Sequence, residues 1–162
     1  MPVRVLRLLS ILAVVPFSLP AIADDCTPAW ITSAQHPASA VVTKIDAHGK
    51  ETTGKSVQTL TTQYLQTPDG AWTAINSGIK DNLDDLKTTK VSCERLGSET
   101  INGVLTTVYT VHVNSDGNVV DGKAWISANS LIQKSDLNIQ AGHYVTVYDY
   151  AHVSPPANAK PK

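Results

Sequence analysis

Hydrophobic runs of four to ten β-branched or aromatic residues recur along most of this chain between short polar, glycine-containing turns, the pattern of strands in a sheet. From Val91 to Val153 the chain is a succession of β-branched and aromatic runs: one opens at Val91, and others follow at Leu105 to Val113, Gly122 to Ser127, Leu131 to Lys134 and Tyr144 to Tyr150. Asn102-Gly103, Asp116-Gly117 and Ala141-Gly142 punctuate them, so the spacing predicts consecutive antiparallel strands joined by tight turns. Upstream, Ala40 to Asp46 alternates Val41, Thr43 and Ile45 against Val42, Lys44 and Asp46, and Ala47 to Lys50 reads as a turn. Lys55 to Leu60 and Thr61 to Gln66 continue in β-favouring composition. Pro68-Asp69-Gly70 then turns the chain into a partner strand at Ala71 to Ile75.

Two stretches break this pattern. Thr27 is placed to cap a short helix with Pro28 at its first position, Trp30 and Ile31 on its buried side and His36-Pro37 at its end. Between Ser77 and Lys90, Ile79, Leu83 and Leu86 form one apolar stripe while Lys80, Asp81, Asp84, Asp85 and Lys87 take the other side, which predicts a surface helix. The expected fold class is therefore α+β and mainly β: an antiparallel sheet with a short N-terminal helix and one surface helix packed on it. Residues 24–153 form one domain in this reading. Residues 154–162, rich in proline, are expected as a flexible tail without helix or strand.

The later strands are two-sided. One parity of the Val104 to Val113 run carries Leu105, Tyr109, Val111 and Val113, and the other carries Val104, Val108 and His112. The Tyr144 to Val153 run sets Tyr144, Tyr148 and Tyr150 against Val145, Val147 and Val153. A sheet that is apolar on both sides must cover both or hold something against one of them.

Composition places this domain outside the cytoplasm. Arg4 and Arg7 precede the apolar run Leu8 to Val15, and Ala21-Ile22-Ala23 supplies a small-x-small cleavage site, the three parts of a secretory signal over residues 1–23. Interrupted by Pro16 and Pro20, the run is too short to span a bilayer, so the mature chain is expected to start at Asp24, without a membrane span, in the periplasm or outside the cell. The chain has 13 basic and 14 acidic residues; without Arg4 and Arg7 the balance is 11 to 14, a formal charge of −3. That balance argues against nucleic acid as a partner. The two cysteines, Cys26 and Cys93, are expected as one disulfide in an oxidising compartment.

Catalytic patterns are missing where they would be looked for. No Gly-x-Ser-x-Gly run marks a nucleophile elbow, and Gly54-Lys55-Ser56 lacks the first glycine of a phosphate loop. His36, His48, His112, His143 and His152 show none of the short spacings of a zinc site. Only a pairing of the strands that carry His112 and His152, with Asp149 alongside, would join two of them. Glu94 and Glu99 stand at odd separation in one strand, on opposite faces of a regular strand. The reading is thus of a non-enzymatic protein with no cofactor, no metal site and no catalytic residues.

Several of these runs together resemble a known family. Cys93 through Gly103 to Tyr109, Gly122 to Ser127, Leu131 to Lys134, and Tyr148-Asp149-Tyr150 with Pro155-Pro156 are similar to small exported proteins related in fold to the outer-membrane lipoprotein carrier, the LolA-like superfamily. Tyr64 and the Gly70-Ala71-Trp72 corner fit the earlier hairpin of that pattern, and the likeness runs from about Pro28 to Pro156. The resemblance implies a curved sheet forming an incomplete barrel, helices over its concave face and an apolar cavity for acyl chains. Trp72, Tyr109, Trp125 and Tyr148 are the candidate residues to line such a pocket. The expected partner is a lipid or the acyl chain of a lipoprotein; the alternative is an envelope protein docked on an edge strand or on the aromatic face.

Overall fold

A computed structural model of the protein describes residues 24–76, 83, 87–115 and 117–161. It is a mainly β, α+β fold. The described elements run β1 (Asp24–Asp25), α1 (Thr27–Ala34), β2 (Ala38–Ile45), β3 (Glu51–Gln58), β4 (Thr62–Gln66), β5 (Trp72–Asn76), β6 (Val91–Ile101), β7 (Val104–Ser115), β8 (Asn118–Ser127), β9 (Ile132–Ile139), β10 (Gly142–Asp149) and β11 (Lys160–Pro161). The strands form one sheet in the order β1-β6-β7-β8-β9-β10-β2-β3-β4-β5-β11. Every pair is antiparallel except β5 with β11.

Two hairpin series make this sheet, β2 to β5 and β6 to β10, and the long-range pairing of β10 with β2 fuses them. The turns follow local chemistry. Asn102 and Gly103, at φ 48° and 81°, close β6 onto β7 as two left-handed residues, the type of turn whose twist matches that of the strands. Asp46 accepts the backbone N–H groups of His48 and Lys50 and so folds the β2–β3 turn.

Register sorts the side chains onto two faces. Cys93, Val111, Gly122, Leu137, Tyr144 and Lys44 form one cross-strand row, and Tyr109 and Ala124 lie in the next row on the same face. On this face α1 packs. The core there consists of Cys26 and Ala29 from the N-terminal segment with Val91, Cys93, Val111, Ala124, Ile126 and Ile132 from the sheet, flanked by Trp30, Tyr109, Val113, Leu137 and Tyr148. The Cys26–Cys93 disulfide, with its Cα atoms 5.9 Å apart, pins the start of α1 to β6. Closing a sequence separation of 67 residues stabilises the fold by about 4 kcal/mol in the chain-entropy model.

Local details depart from the expectations. Cys26, not Thr27, is the residue before the first helical position, because the disulfide fixes the chain there. Asp25 takes the Thr27 N–H at 2.9 Å, and the Thr27 hydroxyl accepts the Val91 N–H at 3.0 Å instead of capping the helix. The segment expected as a tail without strand returns to the sheet at Lys160–Pro161, which lies parallel to Thr73 and Ala74. A proline is tolerated at such an edge because nothing needs its missing N–H. The surface helix expected over 77–90 lies for the larger part outside the described residues, of which Leu83, Lys87 and Thr88 are helical; residues 1–23, expected as the signal, lie outside them too.

At Gly122, β8 and β9 approach so closely that a Cβ would run into the Asp136 carbonyl oxygen and crowd the Leu137 Cα. The obstacle is backbone and cannot swing away. Gly122→Ala should therefore destabilise the protein by about 1–3 kcal/mol, read as a lower denaturation midpoint with an unchanged slope; a variant of wild-type stability would contradict this packing.

Candidate functional site

On the face turned away from α1, one register row crosses the sheet as Val108, Trp125, Lys134, Val147, Val41 and Lys55. The next row on that face holds Asp149, Ser39, Val57 and Tyr64, and β5 adds Trp72, paired with Gln66. These rows floor a groove of about 390 Å³, built on β10, β2 and β3 and closed at its sides by Trp72 and Asn102. Asn102 sits at the tip of the β6–β7 hairpin and Trp72 on β5. Flat, the sheet would hold these elements roughly 30–40 Å apart at about 4.8 Å per strand, so their meeting in one groove requires the sheet to curl. A volume of this size falls in the range of small-molecule sites.

The groove is part apolar and part charged. Val41 is 43% exposed although it lies mid-strand in the sheet interior, so much of its side chain is left uncovered. Val147 and the buried Val57 continue the apolar floor, and Trp72 forms a wall. Lys55 is exposed and has no hydrogen-bond or ion-pair partner among the described residues. Asp149 is committed to its own loop: Oδ1 accepts the N–H groups of Ala151 at 2.8 Å and His152 at 3.1 Å, and Oδ2 meets His152 Nδ1 at 2.9 Å. The Ala151 N–H, followed by the His152 ring, holds this carboxyl below its ordinary range.

The four aromatic residues singled out from the sequence divide between the faces. Trp72 walls the groove. Trp125, on the same face, is buried beside it and held from two sides, its Nε1–H donating to Glu99 Oε2 at 2.5 Å and Lys134 Nζ lying 4.3 Å from its ring centroid. Tyr109 and Tyr148 belong by register to the α1 face, although the backbone around Tyr148 borders the groove. Tyr109 instead lines a second cavity of about 390 Å³ beside the start of α1, with Asp24, Asp25, Cys26, Pro28, Ala29, Ile126 and Ser130. Tyr148 stacks on Tyr150 with ring centroids 6.2 Å apart, and the Tyr150 hydroxyl donates to the Ile132 carbonyl at 2.9 Å.

Polar groups considered for chemistry are held apart. Strands β8 and β9 separate β7 from β10, so His112 pairs with Asp121 at 2.5 Å while His152 stays with Asp149. A third pair, His143 with Asp136, stands at 2.5 Å. No group of three or more histidine, cysteine or acidic side chains able to hold a metal occurs among the described residues. Glu94 and Glu99 do share a face, contrary to the alternation of a regular strand: a bulge between Arg95 and Gly97 shifts the register, so that they stand opposite Thr110 and Thr106. Four residues along β7 still separate them by about 13 Å, too far for two carboxylates to act on one bond.

Sequence reasoning did not find Lys55, Val147 or Asn102. The alternation of β2 was legible, but the adjacency of β10 to β2, and of the hairpin tip to β5, depends on pairings distant in sequence. No protein-family model and no curated protein matches this chain.

Burial raises the Tyr148 phenol above its ordinary value and pushes Tyr150 up to about 12, against a lowering hydrogen bond from Ser33. The folded state thus holds the Tyr150 proton more tightly than the unfolded chain does. Its contribution to stability is whole below about pH 10 and is lost as the pH rises towards 12. Titration of tyrosinate absorbance should show a phenol ionising near pH 12 that vanishes in Tyr150→Phe; ionisation of Tyr150 at an ordinary phenol pH would contradict its burial.

Proposed function

We infer that the protein is an exported, non-enzymatic binding module that holds the apolar portion of a lipid, a lipidated chain or a similar amphiphile in the Val41–Val147–Trp72 groove. The observation that carries this reading is the uncovered apolar floor in the middle of a curled sheet: Val41 is exposed where a strand interior is ordinarily packed, and a rigid aromatic wall stands beside it. Each ligand methylene buried there contributes about 0.8 kcal/mol, so a medium-length tail offsets the cost of association. Residues 1–23 and the disulfide fit an oxidising compartment outside the cytoplasm. The resemblance to the lipoprotein-carrier superfamily supports the same class of ligand, with one difference: it implies a cavity beneath the helices, whereas this groove faces away from α1. Native mass spectrometry of protein purified from its own compartment should reveal a bound amphiphile that solvent extraction removes, and Trp72→Ala should retain several-fold less. Protein that arrives empty and takes up no long-chain amphiphile would rule the reading out.

A second reading, an envelope protein–protein module, draws on the β6–β7 arm, where Leu105 is 70% and Leu96 52% exposed. In-cell crosslinking from Leu105 should then trap a protein, and an arm that crosslinks to nothing would remove this reading.

A further inference from the structure

We propose that the groove selects an amphiphile with an anionic head, a carboxylate or a phosphate, and that Lys55 receives that head. The inference rests on the binding reading above and adds the chemistry of the ligand.

Two charged side chains line the groove, and they are not equivalent. Asp149 has its oxygens occupied by hydrogen bonds from Ala151 and His152, so its bonding capacity is taken up within its own loop. Lys55 has no partner among the described residues, and its side chain is exposed beside Val41 in the same register row. The charged group left without a bonding partner in the groove is therefore the cation. Lys134, two strands beyond Val41 in that row, is already engaged over the Trp125 ring. The row thus runs from an occupied cation through Val147 and Val41 to a free one, an apolar floor about 10 Å wide at ordinary strand spacing. A ligand whose tail lies on Val147 and Val41 brings its head to Lys55, where a charge-assisted hydrogen bond is stronger than a neutral one. A zwitterionic or neutral head gains less there.

The test uses the oxidised, exported protein and isothermal titration with dodecanoate, dodecyl phosphate, dodecyl maltoside and inorganic phosphate, each below micelle formation. The two anionic dodecyl compounds should bind about tenfold more tightly than the maltoside, a difference of about 1.4 kcal/mol. Inorganic phosphate alone should not bind. Lys55→Met, which keeps the aliphatic stem, should bring the anionic compounds down to the affinity that the same variant shows for the maltoside; Lys55→Arg should restore the preference. Equal affinities in the wild type, or a preference that survives Lys55→Met, would overturn the head-group assignment while the groove reading stands. Failure of every dodecyl compound to bind would overturn both, and tight binding of inorganic phosphate would mark a free-anion site instead. Unchanged thermal unfolding of Lys55→Met separates loss of the charge from loss of the fold.

Discussion

An extended sheet has two faces to shield from water, and the one helix described in full has only eight residues with which to do it. The disulfide decides where that helix goes. By joining Cys26 to Cys93 it commits α1 to the face that carries Val91, Val111 and Ala124, which are among the best-buried of the described residues. A helix this short is not stable alone. The covalent link and the packing it enforces therefore act as one unit, and the opposite face is left to be closed by other means.

Those means are curvature and pairing. The sheet curls until the tip of the β6–β7 hairpin and β5 border one groove, and the side chains on the face away from α1 partly cover one another. Trp125 is shielded by Glu99 and Lys134 across neighbouring strands, and Thr106 is buried with its hydroxyl on the Glu99 carbonyl at 2.6 Å. Over β10, β2 and β3 this self-covering stops, and the row Val147–Val41–Lys55 is left open. The groove is thus a consequence of an uneven division of cover between the two faces, and its mixed lining of valine, tryptophan and one unmatched lysine follows from which residues that row contains.

The edges are managed separately. β1 covers only Ser92 and Cys93 of β6, and the bulge at Arg95–Gly97 with the charges of Glu94, Arg95 and Glu99 makes the remaining edge a poor template for another strand. At the far end Lys160–Pro161 covers part of β5. An exposed apolar arm and charged, irregular edges can coexist because the first is a matter of side chains and the second of backbone groups.

Much of this was legible along the chain because it is local. β-branched and aromatic runs marked most of the strands, Asn102-Gly103 fixed the β6–β7 turn, and a chain with two cysteines left one pairing available. Val41 and Val147 could each be placed on a face of their own strand. Which faces adjoin was not legible, because β10 meets β2 across about a hundred residues and no local signal encodes that contact. The same distance hid the separation of Tyr109 and Tyr148 from Trp72 and Trp125, since aromatic character says that a residue is buried but not on which side of a sheet. The bulge that moved Glu99 onto the face of Glu94 is one extra residue in a strand, invisible to a period-two reading. Sequence alone determined most of the elements and, away from the bulge, their parity, because hydrogen-bonded strands and tight turns depend on neighbours; only the tertiary structure decided the groove, because a site made by curling brings together rows whose residues have no neighbours in common.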